Sequence, residues 1–200
     1  MKAIVFVDVQ KDFIDGALRN EKAIEVTPKI VEWAKELVVS NPEYKFYATR
    51  DTHNKTIYAN IHHLDATLEK DVPWQGYLAT LEGKKLPVEH CIEMTEGWMI
   101  DDRLMSVLDG GVTIVNKPTF GSFDLAEILA EDEIRENFKF DEIIICGFVS
   151  SICVASNAII LRAKFPNTKI TVMKDLCAGI TEEDHNATMK VLEMQQIDVK

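Results

Sequence analysis

Three residues with side chains suited to acyl transfer each stand where a short apolar run ends. Cys153 follows Ile143, Ile144, Ile145 and Gly147 and opens a largely apolar helical stretch with Val154, Ala158, Ile159 and Ala163. A thiol at the start of a helix meets free backbone N–H groups and the positive end of the helix dipole. Both favour the thiolate, the form that attacks a carbonyl carbon. The same position also suits a small buried hydrophobe, the usual state of a free cysteine. Asp8 interrupts the apolar run at residues 3–9. An acid there is costly unless it is paired or used, so it is either the cap of the next turn or a proton acceptor. Lys117 ends the run at 112–116, just before Pro118. In open α/β sheets the ligand crevice lies beyond the C-terminal ends of the strands. A carboxylate, an ammonium and a thiol, each at the end of its own strand, together point to a nucleophilic active site.

A second constellation offers metal chemistry. The run at 45–49 ends in Arg50, Asp51, Thr52 and His53, and Asp51 and His53 offer one oxygen and one imidazole. His90 would complete a set of two histidines and one carboxylate, a donor set that suits zinc, iron or manganese with open positions left for a ligand. Its neighbour Cys91 is expected to pack. Phe13, in the loop after Asp8, is either a core side chain or a ring placed to stack on a planar substrate.

These side chains need a frame that brings strand ends together. The buried runs at 3–9, 45–49, 112–116, 143–145 and 169–173 read as strands, with 197–199 as a short edge strand. Helices are expected between them. One begins at Thr27 and Pro28, as N-cap and first helical position. Others cover 101–108, the stretch from Ser122 through Leu129, the run after Cys153 and the segment capped by Thr181. Residues 175–179 read as a turn that packs Cys177. Residues 54–100 show little periodicity and predict a functional loop region or short helices around a site. His62 and His63 are expected at the surface, and His185 is expected to be structural. The alternation of strands and helices predicts an α/β fold in one domain over residues 1–200.

Composition narrows the function. The 200 residues carry a net charge of −11, which argues against binding a phosphate backbone. No apolar run of about 18 residues is present, so no membrane partner is expected. The four cysteines show no C-x-x-C spacing and read as reduced thiols in a cytoplasm. A redox role for Cys146 with Cys153 has no support in that spacing.

The motifs resemble one family along nearly the whole chain. Val7-Asp8-Val9-Gln10-Lys11-Asp12-Phe13 resembles the N-terminal motif of the isochorismatase-like cysteine hydrolases, and of nicotinamidases in particular. The segments Thr49–His53, His90–Cys91, Lys117–Phe123, Gly147–Val154 and Cys177–His185 are similar to the family's later motifs, in the family's order. The resemblance implies Asp8, Lys117 and Cys153 as a catalytic triad and Asp51, His53 and His90 as ligands of a divalent metal, zinc first. It also implies an α/β three-layer sandwich with a six-stranded, mainly parallel sheet and helices on both faces, a cis peptide between Phe148 and Val149, an oxyanion hole made by the Val149 and Cys153 N–H groups, and Phe13 against the substrate. The implied activity is hydrolysis of a small amide, nicotinamide or a relative, through a thioester, and a homo-oligomer is expected. The chain departs from the nicotinamidase pattern at Leu86-Pro87-Val88-Glu89, where an aromatic precedes the proline in that group. Trp74 and Trp98 are the rings that could stand in for it.

Overall fold

The computed structural model describes residues 1–40, 43–53 and 80–200, so the expectations for His62, His63 and Trp74 lie outside the described residues. The elements run β1 (Lys2–Val7), α1 (Lys11–Ile14), α2 (Glu21–Ser40), β2 (Tyr44–Asp51), α3 (Leu81–Lys85), α4 (Asp102–Leu108), β3 (Val112–Lys117), α5 (Phe123–Arg135), β4 (Glu142–Phe148), a π-helical turn (Ser150–Val154), α6 (Ala155–Lys164), β5 (Lys169–Ala178), α7 (Glu182–Met194) and β6 (Asp198–Val199). Six strands form one sheet in the order β3-β2-β1-β4-β5-β6. Every neighbouring pair is parallel, where the resemblance implied a mainly parallel sheet. Right-handed crossovers then set the layers. The chain steps one way from β1 to β3 and the other way from β3 to β6, so the connecting helices lie on opposite faces. α2 packs on α4, and α6 packs on α5 and α7, in line with this division.

The reversal falls between β1 and β4, and such switch points are where open sheets bind ligands. These two strands are also the most apolar. Ala3 through Val7 are fully buried, as is nearly all of β4, which fits strands covered on both faces. Gly147 permits their close approach. Its φ is +125°, and a Cβ there would lie 2.0 Å from the Val7 carbonyl oxygen. No glycine is needed at Asp8, which ends β1 with φ +50° and turns the chain out of the sheet before the predicted strand end at residue 9.

Three predicted boundaries are corrected. α2 starts six residues before Thr27, because Asn20 Oδ1 accepts from the backbone N–H groups of Lys22 at 2.9 Å and Ala23 at 3.1 Å and caps the helix there. Thr27 therefore lies inside the helix and donates to the Ala23 carbonyl at 2.7 Å, with Pro28 following it. The helix keeps its proline because the buried stripe Ala23, Val26, Ile30, Val31, Ala34 and Leu37 offsets one missing N–H. Second, residues 175–178 continue β5 rather than turn. A register shift between Ile145 and Gly147 lets Gly147 pair with Cys177 and Phe148 with Ala178. Third, Cys153 sits within the π-helical turn, and the regular α6 begins only at Ala155. The caps at Ser122 and Thr181 form as expected, Asp101 caps α4 rather than opening it, and α5 runs on to Arg135. No helix among the described residues is long and apolar enough to cross a membrane.

Candidate active site

The strand ends bring the three predicted catalytic side chains together. Lys117, the last residue of β3, is almost fully buried, and its Nζ forms an ion pair with Asp8 Oδ2 at 2.7 Å. The same ammonium lies 3.5 Å from Cys153 Sγ and donates to the Thr119 carbonyl at 3.1 Å. Thr49, near the end of β2, fixes the carboxylate: its hydroxyl donates to Asp8 Oδ1 at 2.7 Å. Cys153 forms part of the wall of a cavity of about 820 Å³, with Phe13, Leu18, Phe120, Val149 and Ile152 beside it. The Phe148–Val149 peptide is cis, as the resemblance implies.

Burial shapes the charges here. It disfavours the Lys117 ammonium, yet Asp8, the Cys153 sulfur and Asp51 outweigh it and hold the proton on lysine well above the usual range. Burial raises Asp8 above the ordinary carboxylate range against the pull of Lys117. It also pushes the Cys153 thiol well up, with Lys117 opposing and Asp8 adding to the rise. The expectation of a thiol made acidic by its helix start is corrected: desolvation outweighs the lowering by Lys117, and the thiol lies above the ordinary range rather than below it. The nearby carboxylate has had its proton affinity raised by the same burial, so it is a competent acceptor.

The predicted metal residues also converge. His53 forms an isolated parallel bridge with Ile92, its N–H donating to the Cys91 carbonyl at 3.0 Å, and this pairing draws His90 alongside. The His53 and His90 Nε2 atoms lie 3.2 Å apart and are 3.1 and 3.5 Å from Asp51 Oδ2. Glu82 of α3 joins them, and one donor atom from each of the four lies within 4.8 Å of the others. Asp51 Oδ1 is buried and accepts no hydrogen bond among the described residues. His90 Nδ1 is 2.6 Å from the Val88 carbonyl, which accepts its N–H and turns Nε2 toward the cluster. A buried carboxylate oxygen with no hydrogen bond among the described residues, 3.8 Å from Lys117 Nζ, and facing imidazole nitrogens fit a divalent cation. Burial pushes Asp51 up, but Lys117 and the two histidines outweigh it and hold it far below the carboxylate range. Burial, helped by the charge of Asp51, pushes Glu82 up to about 7. Asp51, Glu82 and His90 line the same cavity as Cys153, and the Phe13 ring stands 6.0 Å from that of His90.

Sequence reasoning missed the supports of this cluster. Gln10 is fully buried and clamps Asp51 from both sides: its Oε1 accepts from the Asp51 N–H at 2.7 Å and its Nε2 donates to the Asp51 carbonyl at 2.9 Å. Asp12 accepts from the Cys91 N–H at 2.7 Å and holds the segment that carries His90. Both lie within the N-terminal motif, which was their only signal. Glu82 had none beyond being one acid in a chain with 33. His185 reaches the π-helical turn that carries Cys153, its Nδ1 2.7 Å from Ser150 Oγ. Trp98 does not stand in for the missing ring. Its Nε1–H donates to Thr52 at 2.8 Å and its ring lies 3.3 Å beneath the Arg50 guanidinium.

The comparison with protein families decides the kinship: the model described as the Isochorismatase domain matches residues 2–199. The chain belongs to the isochorismatase family. No curated protein matches it in sequence. Solved structures with the isochorismatase-like fold include a pyrazinamidase of Pyrococcus horikoshii in complex with zinc, 21% identical, with a TM-score of 0.71 over 100% of this chain and 98% of that one. The pyrazinamidase/nicotinamidase from Streptococcus mutans UA159 is 20% identical, with a TM-score of 0.74 over 100% of both chains. The yeast nicotinamidase bound to nicotinaldehyde is 22% identical, with a TM-score of 0.73 over 100% of this chain and 99% of that one. At these identities the likeness establishes the isochorismatase-like fold.

Proposed function

We propose that this family member is a cysteine amidohydrolase that cleaves a small amide to a carboxylic acid and ammonia, with nicotinamide the first substrate to test. The observation that carries the reading is the contact of Lys117 with both Asp8 and Cys153 on a cavity at the sheet's switch point. Asp8 takes the Cys153 thiol proton as sulfur attacks the amide carbon. The N–H groups of Val149 and Cys153 receive the oxygen that gains charge; one such donor is typically worth about 2.7–4 kcal/mol. Asp8 then gives its proton to the nitrogen, the C–N bond breaks, and ammonia leaves a thioester on Cys153. Water attacks that thioester, with Asp8 as its base; the C–S bond breaks, Asp8 returns the proton to the Cys153 sulfur, and the acid departs. Lys117 stays charged throughout, holds Asp8 in place and offsets the charge on sulfur. Phe13 packs against the substrate.

Asp51, His53, His90 and Glu82 would hold the divalent ion, zinc first, with iron or manganese as alternatives. When bound, such an ion supplies a Lewis acid that orients a ring nitrogen or a water. A second reading, an aliphatic amide or ureide, is favoured by Leu86, which lines the cavity in the segment where nicotinamidases carry an aromatic. An ammonia-release screen over nicotinamide, pyrazinamide, aliphatic amides and ureides, with and without added zinc, tests both. Cys153→Ala should abolish release and keep the fold. Full activity in that variant would sink the mechanism.

A further inference from the structure

Asn157 has no place in the chemistry above, yet it is fully buried, and among the described residues its side-chain hydrogen bonds all end near the nucleophile. Its Nδ2 donates to the Cys153 carbonyl at 2.8 Å, one helical turn back, and to the Phe120 carbonyl at 3.1 Å. Its Oδ1 accepts from the Ser122 N–H at 3.0 Å. The second and third bonds seize the loop between β3 and α5. That same loop supplies the Thr119 carbonyl that receives the Lys117 ammonium at 3.1 Å, and Phe120, which lines the cavity. One amide thus ties the backbone of the cysteine to the loop that steers the lysine. Gly121 lets the two surfaces close, since a Cβ there would lie 2.6 Å from Ile160 Cδ1 of α6.

We infer that Asn157 is a positioning residue that sets the approach of Lys117 to Cys153, and so the readiness of the sulfur to react. Few side chains replace it. The role needs a donor with two hydrogens and an acceptor on one planar group, with none left unmet at a fully buried position. A hydroxyl on this helix can bond back to the carbonyl one turn earlier, as Thr27 does to Ala23 at 2.7 Å, but it cannot also hold the loop. The inference rests on the proposed role of Cys153 as nucleophile, so its test reads the thiol without a substrate.

The measurement is the rate of Cys153 alkylation by iodoacetamide against pH, in the full chain, with Cys153→Ala as the blank for the buried Cys91, Cys146 and Cys177. The charges around the sulfur are Lys117, Asp8 and Asp51, and none is altered in the neutral variants Asn157→Leu and Asn157→Ser. Both variants should move the alkylation midpoint to higher pH and slow alkylation at neutral pH about tenfold, a shift of about one pKa unit. With a working substrate, kcat should fall about 10²-fold, the scale of a misplacement of about 1 Å, with KM little changed. Asn157→Ser covers the case in which Asn157→Leu fails to fold. A folded variant whose alkylation profile matches the parent overturns the inference, even if its melting temperature has dropped. Should no amide prove to be a substrate, the alkylation result still stands or falls by itself.

Discussion

Lys117 Nζ lies 2.7 Å from Asp8 Oδ2, and both side chains are cut off from solvent. Their elements, β3 and the end of β1, do not touch directly; β2 runs between them. The pair therefore spans a whole strand above the sheet edge. Removing one partner leaves a buried charge alone. Lys117→Met should cost about 3–5 kcal/mol of stability in denaturant titrations and abolish ammonia release. Combining it with Asp8→Leu should restore much of the stability and none of the activity. A double variant no more stable than the single one would contradict this account.

The raised proton affinity of Asp8 predicts the acid limb of the pH profile. The base must be ionised to accept the thiol proton, so kcat/KM should fall as pH drops through a value above the ordinary carboxylate range. Rates measured from about pH 4 to about pH 9 would show it. A limb at the usual aspartate value would place the base elsewhere.

At the opposite end of the sheet Glu142 governs acid stability. Burial raises its carboxyl, but the Thr171 hydroxyl and the ammonium groups of Lys2 and Lys169 outweigh it and bring it down to about 2 from an ordinary 4.5. A group lowered in this way stabilises the fold fully above its ordinary value, and the contribution fades as pH falls from there toward the folded value. Glu142→Gln should therefore lower stability at neutral pH and flatten its decline in acid. Unfolding curves at about pH 7 and about pH 3 would reveal any variant that keeps the parent's slope.

Gln10 touches no donor atom of the metal cluster, yet it grips both backbone groups of Asp51. Gln10→Ala should weaken zinc binding about 10–100-fold in chelator competition, the usual cost of losing an outer support. Glu82→Gln should weaken it too by removing a donor. Parent-like affinity in Glu82→Gln would confine the site to Asp51, His53 and His90.

Strand ends were legible because buried strands are short apolar runs, and a charged residue that closes one stands out. That is why Asp8, Lys117 and Asp51 could be read directly, while Cys153 was read from the glycine and the helical run on either side of it. Helix starts were legible where a capping side chain precedes the turn, as at Ser122 and Thr181. Thr27-Pro28 misled because it resembles a helix start, while the real cap, Asn20, carries no sharper signal than many polar residues. The extension of β5 was hidden because a bulge depends on two strands at once. Long-range supports such as Gln10 to Asp51 or Asn157 to Ser122 leave no trace in spacing, since the fold alone decides which backbone groups they meet. The state of the thiol was also illegible: a helix start argues for an acidic cysteine, and only the depth of burial shows that desolvation wins.

The closeness of β1 and β4 has a consequence in time. Lys2 and Glu142, at the start of their pairing, are 140 residues apart in sequence. Contacts of such reach are slow to form, because the intervening chain must first be gathered in. The carboxylate arrives with the first strand made and the sulfur with the fourth, and Gly147 lets them meet only when those strands are in register. A chain still on the ribosome, or one only partly folded, thus holds an ordinary cysteine. Recovery of ammonia release should be among the last events of refolding.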